Sequence, residues 1–356
     1  MNADSLKLTI YFGERDRAGG RFLADVLLDC YERYGLATSV LLRGIEGFGA
    51  KHRLKTQRLL TLSEDLPIVA VAVDTRQRID QLLPEVTAMM GDGLITLERA
   101  RLLTGQLDEV VLPEELAEAT KLTVYLGRHE QADGQPAFLA VVDLLHDHGV
   151  AGATVLLGVD GTAHGTRQRA RFIGRNTYVP LMIISVAAGD TIARVLPELG
   201  AVLARPLVTL ERIRVCKRDG RRLADPHPLP TSDLDGLGIW HKLMIYAGEE
   251  AEHHGHPLYL QLIRRLREGG AAGATCLRGI WGYHGDHEPH GDRLLGLRRR
   301  VPVLTVVVDR PDRIHRWYEI VDELTDETGL VTSELVPAFR ATGPDLLEGG
   351  LDLSNP

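Results

Sequence analysis

The sequence predicts an α+β protein in which one βαββαβ unit is built three times. Three observations predict it. A Gly-x-x-Gly stretch recurs as RGIEGFG (43–49), LGVDGTA (157–163) and RGIWGYH (278–284). Each copy follows a Tyr-x-Gly at one interval: Gly44 lies 33 residues after Tyr11, Gly158 33 after Tyr125 and Gly279 33 after Tyr246. Around each copy the apolar residues run first with a two-residue period and then with a helical one, and LITLER, LVTLER and LVTSEL close the three units.

Repeat 1 (1–105) opens with Leu6, Leu8, Ile10 and Phe12 alternating with Lys7, Thr9 and Tyr11, a half-buried strand. Gly13 and the polar run to Gly20 break it. Phe22, Leu23, Val26, Leu27 and Cys30 then form a helical stripe opposite Arg21, Asp25, Asp29 and Glu32, and Gly35 ends that helix. A second strand over 38–45 runs into the loop EGFGAKHRLKTQ. The third strand region takes in 58–62 and 67–73, where the unbroken IVAVAV reads as a central strand. Ile79, Leu82, Leu83, Val86, Met89 and Met90 give the second helix, and Gly91-Asp92-Gly93 turns into the last strand, LITLERARLL.

Repeat 2 (121–217) follows the same order through KLTVYLG, PAFLAVVDLLHDHG with Pro136 in its first turn, GATVLLGVDG, PLMIISVAAG, a helix over 191–202 and PLVTLERIRV. Repeat 3 (240–340) shows HKLMIYAG, PLYLQLIRRLREGG, GATCLRGIWG, VPVLTVVVD, a helix over 314–324 and GLVTSELVPAF. The linker 106–120 is acidic with room for a short helix. The Pro/Gly-rich segment 218–239 reads as an extended connector, and 341–356 as a disordered tail.

Two βαβ halves in this order form a ferredoxin-like sandwich, with helices on one face of an antiparallel sheet. Its other face needs a cover, and an identical neighbour is the usual one. Three copies in one chain therefore favour an intramolecular pseudo-trimer, monomeric as a chain, over three separate domains.

Composition narrows the function classes. A net charge of −8 argues against general nucleic-acid binding. Cys30, Cys216 and Cys276 fall at non-equivalent repeat positions and read as reduced. No basic n-region precedes an apolar run, and PIVAVAV (67–73) is far too short to span a bilayer, so a soluble, cytoplasmic protein is expected. There is no G-x-S-x-G, H-E-x-x-H or Walker A motif, so no enzyme is read here.

YFGERDR, LLRGIEGFGAKHRLKT, the apolar strand from Pro67 and GDGLITLERARLLTG resemble the PII-like proteins of the domain-of-unknown-function 190 family. The resemblance covers all three repeats. It implies ferredoxin-like subunits assembled as trimers with small effectors between them, the trimer here carried by one polypeptide. It also implies association with small membrane ion channels of the fluoride-exporter type.

Candidate sites follow. Gly91, Asp92 and Gly93 match in position a G-D-G-K stretch that wraps nucleotide phosphates in PII proteins, although Leu94 stands where the lysine would be. Repeats 2 and 3 depart further, with Ala204-Arg205-Pro206 and Glu327-Thr328-Gly329. The Gly-x-x-Gly turns (Gly44, Gly47; Gly158, Gly161; Gly279, Gly282), with Arg43, Arg278, Arg99 and Arg101, are the expected lining of anion-binding clefts. Basic loops after each second strand (Lys51, His52, Arg53, Lys55 and Arg58 in the first copy) point the same way, although plain surface loops share that composition. In repeat 3, His284, His287 and His290 offer a transition-metal alternative, against a solvated His-rich loop. Glu98, Glu211 and Glu334 recur at one strand position and read as a base or, more simply, as partners of a neighbouring Arg.

The expected function is a non-enzymatic PII-like regulator. It would bind a small anionic effector, an adenine nucleotide among the candidates, in inter-repeat clefts and dock a partner through mobile loops. A metal sensor and a scaffold with decayed sites are the alternatives.

Overall fold

The alternation of Leu6, Leu8, Ile10 and Phe12 with Lys7, Thr9 and Tyr11 gives the first strand two different faces, and both turn out to be covered. In the computed structural model residues 4–49, 55–56, 65–108, 110–163, 166–169, 179–227, 238–284, 288–291, 301–343 and 346–351 are described. Repeat 1 comprises β1 (Asp4–Gly13), α1 (Leu23–Arg33), β2 (Thr38–Arg43), β3 (Pro67–Thr75), α2 (Arg76–Met89) and β4 (Asp92–Thr104). Repeat 2 comprises β5 (Thr120–Gly127), α3 (Ala137–Asp147), β6 (Gly152–Leu157), β7 (Pro180–Ala187), α4 (Gly189–Val202), β8 (Leu207–Arg212) and β9 (Arg214–Arg218). Repeat 3 comprises β10 (Ile239–Gly248), α5 (Leu258–Gly269), β11 (Ala274–Arg278), β12 (Pro302–Asp309), α6 (Pro311–Leu324) and β13 (Leu330–Thr342), followed by β14 (Leu346–Gly350). The fold is thus mixed α/β and dominated by sheet, with three repeat-like domains. No described helix is long and apolar enough to cross a membrane.

Within each repeat the third strand pairs antiparallel with the second and the first, and the first also pairs with the last. The helices cover one sheet face. Leu6, Leu27 and Ile79 belong to the resulting core of repeat 1, Leu122, Val141 and Val195 to that of repeat 2, and Leu243, Leu262 and Trp317 to that of repeat 3. The opposite faces meet in a fourth core drawn from all three repeats, with Val40 and Val71, Met182 and Ile184, and Val306 and Val336 among its members. Each such buried side chain contributes about 1.5–3 kcal/mol, so this shared core is the main adhesive between repeats.

Backbone pairing between repeats closes on itself twice. A short arm follows each second strand: Glu46–Phe48 pairs with β11 of repeat 3, Asp160–Ala163 with β2 of repeat 1, and Trp281–His284 with β6 of repeat 2. The last strands form the second cycle, β4 with β8, β9 with β13, and β13 with the start of β4.

Several expectations change. Asp92 and Gly93 are not a free turn but the first residues of β4, paired with Thr342 and Ala341. The last strand of repeat 2 is split at Ile213, which lets β8 and β9 serve different partners. The connector from 218 begins as a hairpin, Arg221–Arg222 folding back on Lys217–Arg218, with Arg222 bonded to Glu319 and Asp322 of α6. The tail, expected without structure, supplies β14, which pairs with β13. The short helix expected in the linker is a single turn at Glu114–Leu116. Segment 58–62, read into the third strand region, lies outside the described residues.

One core position carries a pH prediction. His241, immediately before the lysine of the first strand, occupies the place of Leu6 and Thr120; it is fully buried and neither ring nitrogen has a hydrogen-bond partner. Burial, with His315 and His227 nearby, pushes its pKa down to about 4 from 6.5. The neutral imidazole is the folded form, so its contribution is complete above pH 6.5 and is lost as pH falls towards 4, by up to about 3 kcal/mol. His241→Leu, which restores the residue of repeat 1, is expected to flatten that part of the stability–pH curve. An unchanged acid limb would assign the acid sensitivity to other groups.

Candidate functional site: the cleft between repeats 1 and 3

Each Gly-x-x-Gly stretch sits where an arm crosses onto a neighbouring repeat. The first glycine donates its N–H to the proline that opens the third strand: Gly44 to Pro67 O (2.8 Å), Gly158 to Pro180 O (2.9 Å) and Gly279 to Pro302 O (2.8 Å). The next amide reaches across the junction, Ile45 to Cys276 O (2.9 Å), Val159 to Leu41 O (2.8 Å) and Ile280 to Val155 O (2.8 Å). At the second glycine two backbones nearly touch. A Cβ on Gly47 would lie 2.7 Å from Ala274 O, and one on Gly161 or Gly282 would overlap Ser39 O or Ala153 O. Glycine is required where one backbone passes this close to another. The six glycines of these turns, expected to line anion-binding clefts, are thus placed at the repeat junctions, where the backbone crossing itself calls for glycine.

Between repeats 1 and 3 the crossing leaves a cleft of about 260 Å³. Tyr11, Phe12 and Leu94 of repeat 1 face Val306 and Val308 of repeat 3, with Phe48 of the arm and Trp240 completing the apolar walls. Asp92 and Gly93 line it, as expected of that stretch, whereas Gly91 is exposed with open space around it. Leu94 adds apolar surface where a phosphate site would need a cation. The corresponding cleft between repeats 2 and 3 measures about 40 Å³. There Tyr283 and His284 take the places of Phe48 and Gly49, and Ala119, Val186 and Ile213 pack against Tyr246 and Leu330.

The described residues that line the open cleft include carboxylates where arginines were expected. Asp16, Asp65 and Asp92 line it, each half-buried and each accepting a backbone N–H: Gly13 N–H at 2.7 Å, Arg15 N–H at 2.9 Å and Gly343 N–H at 3.0 Å. Among the described residues, Arg340 is the cation in the lining. It is paired with Glu348, lies over the Trp240 ring at 5.4 Å, and has its Nε–H buried without a partner. The arginines expected there are engaged elsewhere. Arg43 pairs with Glu14 (2.9 Å), Arg278 with Glu249 (2.5 Å), Arg101 donates to Val111 O (2.9 Å), and Arg99 is exposed. Sequence adjacency to the glycines suggested a basic cleft; among the described residues, carboxylates arrive from two loops and from the start of β4.

The histidines of repeat 3 are not brought together as a ligand set among the described residues. His284 lines the narrow cleft, and His290 sits opposite Gly282 with its ring Nδ1 2.7 Å from Glu288 O. His287 lies outside the described residues, as do Lys51, His52, Arg53 and Arg58 of the first basic loop.

What does converge is the recurring carboxylate. Glu98, Glu211 and Glu334 bring one oxygen each within 4.8 Å of one another. Their partners are lysines rather than arginines: Lys7, Lys121 and Lys242, each directly across the strand pair from the glutamate of its own repeat. Every lysine also reaches the glutamate of the next repeat, so six charges alternate around a closed ring. Lys7 lies 3.4 Å from Glu98 and 3.1 Å from Glu211; Lys121 lies 2.8 Å from Glu211 and contacts Glu334; Lys242 lies 3.8 Å from Glu334 and 3.0 Å from Glu98. All six side chains are at most 4% exposed. Burial alone would raise Glu98, but Lys242, Lys7 and Lys121 together hold it well below the usual carboxylate range. Burial likewise opposes the charge on Lys121, and Glu211 and Glu334 outweigh it and hold the ammonium high. The three lysines offset the carboxylates and leave them little net charge with which to hold a metal, although burial draws Lys242 below the usual lysine range. The sequence did carry this signal, a lysine recurring on the side of a period-2 strand that faces the glutamates.

A sequence profile of the domain-of-unknown-function 190 family (DUF190, "Uncharacterized ACR") matches residues 5–102, 119–215 and 240–338. A UPF0166 protein of Aquifex aeolicus is 34% identical over 92 residues, which are 86% of that protein and 26% of this chain. A UPF0166 protein of Methanocaldococcus jannaschii is 25% identical over 103 residues, 94% of that protein and 29% of this chain. Each relative is thus about one repeat long.

Proposed function

The chain belongs to the domain-of-unknown-function 190 family as three tandem copies, and from that premise we propose that it is a PII-like regulator taking a small effector between repeats 1 and 3. The strand order of each repeat supports a ferredoxin-like unit. The two closed cycles of strand pairing support a pseudo-trimer within one polypeptide, and relatives one repeat long fit that reading. The carrying observation for the effector is the asymmetry of the clefts, about 260 Å³ against about 40 Å³ at equivalent junctions. A junction that served only cohesion would gain from being filled. Binding rather than catalysis is the role, since the recurring carboxylates that offer a base are neutralised in the buried ring. Differential affinity of a partner for the liganded and free forms would transmit the signal, with a small membrane channel as the partner class that the resemblance implies.

Thermal unfolding in the presence of adenine nucleotides, amines and carboxylates tests the reading. A ligand at 100 times its Kd is expected to stabilise the protein by about 2.7 kcal/mol. Gly49→His, which copies His284 of the narrow cleft, is expected to abolish the response while leaving the unliganded Tm unchanged, because a Cβ at Gly49 meets nothing within 4 Å. A full response in this variant would place the ligand elsewhere.

A further inference from the structure

We infer that β14 is a latch: it holds repeat 3 against repeat 1, and its release opens the cleft between them. Strand pairing and side-chain contacts carry this, whatever the cleft binds. Repeats 1 and 2 are joined by 106–120 and repeats 2 and 3 by 218–239, whereas repeats 3 and 1 are not consecutive in the chain. Besides the arm at Glu46–Phe48, their backbones meet in one ladder, Ala338 to Thr342 against Thr96 to Asp92. β14 pairs with the other edge of the same five residues, from Gly350 opposite Ala338 to Leu346 opposite Thr342. The segment that joins repeats 3 and 1 is thus braced from behind, and without β14 it would be an open edge.

Side chains tie the latch to the cleft. Arg340 lies opposite Leu94 in one ladder and opposite Glu348 in the other, and both Arg340 and Leu94 line the cleft. Its side chain is 14% exposed, pairs with Glu348 and lies over the ring of Trp240, another cleft wall. With β14 away, that guanidinium would lose its carboxylate. A charge left buried and unpaired is costly, so it would swing to solvent and leave Trp240 uncovered. The seat itself is close: a Cβ on Gly349 would overlap Ala338 O, and one on Gly238, which leads into β10, would overlap Gly350 N. On its outer side β14 is lightly held. Leu351 packs against the core of repeat 1, but Leu347 is 59% exposed, and a groove of about 690 Å³ runs between α2 and β14, lined by Leu83, Met90 and Leu347. A strand seated by one ladder, one ion pair and one apolar anchor opens at lower free energy than strands buried on both faces.

Hydrogen exchange read by mass spectrometry on the full chain tests the latch with two variants. Gly349→Ala forces a Cβ into Ala338 O at φ +85°, and Glu348→Lys sets two cations directly opposite each other. Each variant is expected to speed exchange about tenfold or more at 346–350, 338–342 and 92–96. Residues 101–104 and 207–210, which pair repeats 1 and 2 in the same way, are expected to stay within about twofold of the parent. Acceleration that stops short of 92–96 would overturn the latch and leave β14 a passive edge strand. Equal acceleration at 101–104 and 207–210 would overturn it too, since the whole assembly would then be loosening. Unchanged exchange at 346–350 in either variant would mean that β14 is held as firmly as the core, and the latch would fail on that ground.

Discussion

Lys121→Ala is expected to cost about 3–5 kcal/mol of unfolding free energy, measured by denaturant titration, although it removes a residue that touches no ligand. Lys121 is fully buried between Glu211 of its own repeat and Glu334 of the next. Without it two carboxylates remain in a dry junction that Lys7 and Lys242 cannot neutralise alone, and leaving a buried charge unpaired is the expensive case. Exposed pairs provide the contrast. Arg264 and Glu268 on α5 lie 2.9 Å apart with side chains 68% and 50% exposed, and their loss is expected to change stability by less than about 1 kcal/mol. Substituting Glu334→Gln together with Lys121→Ala should recover part of the deficit, because the orphaned charge goes with its partner; a coupling of about 0.5–3 kcal/mol is the expected range. A single-variant cost below about 1 kcal/mol would mean that water reaches the ring.

The ring also separates cohesion from specificity. A hydrophobic substitute of equal volume at all six positions would hold the repeats together about as well, since desolvation consumes much of the Coulomb gain. An alternating ring fixes the register of each junction, because each lysine sits between its own glutamate and that of a neighbouring repeat. The apolar core supplies the adhesion and the charges set the register, but all three repeats carry the same pair, so the charges do not choose which repeat follows which.

The parts of this structure that could be read from the sequence are those encoded within a few residues. The period-2 pattern of Leu6 to Phe12 and the helical stripe of Ile79 to Met90 reappear as β1 and α2 because each depends on local spacing alone. The destination of the arms is not local. Thr38 donates to Thr162 O at 3.0 Å across 124 residues, and nothing near Thr38 announces it. The Gly-x-x-Gly turns were conspicuous, but a glycine needed for a backbone crossing and one needed for an anion leave the same mark in a sequence. Asp92 and Gly93 line the cleft, beside carboxylates that the sequence had not placed there. Asp16 and Asp65 arrive from loops around it, while Arg43, adjacent in sequence to the glycines, is turned away by Glu14.

Gly282→Ala distinguishes the crossing role from a ligand role, because its effect needs no ligand. Gly282 has φ +147°, and a Cβ there would overlap Ala153 O of β6 and lie 2.7 Å from Pro302 Cγ. Backbone strain of about 1–3 kcal/mol adds to overpacking of about 1–3 kcal/mol, so a loss near 4 kcal/mol is expected. Neither obstacle can swing aside, since one is a strand carbonyl and the other a proline ring. Relief requires the arm to lift off β6, which also releases Tyr283, whose ring is buried against repeat 2 and whose hydroxyl donates to Val150 O at 2.9 Å. Hydrogen exchange should therefore accelerate at 152–155 and 281–284 while the paired amides of β1 and β3 in repeat 1 keep their protection. Gly49→Ala, with nothing within 4 Å of its Cβ, is the control and is expected to stay within about 0.5 kcal/mol of the parent. A Gly282→Ala protein as stable as that control would mean the arm is loosely seated, and the Gly-x-x-Gly stretch would then need a reason other than the crossing.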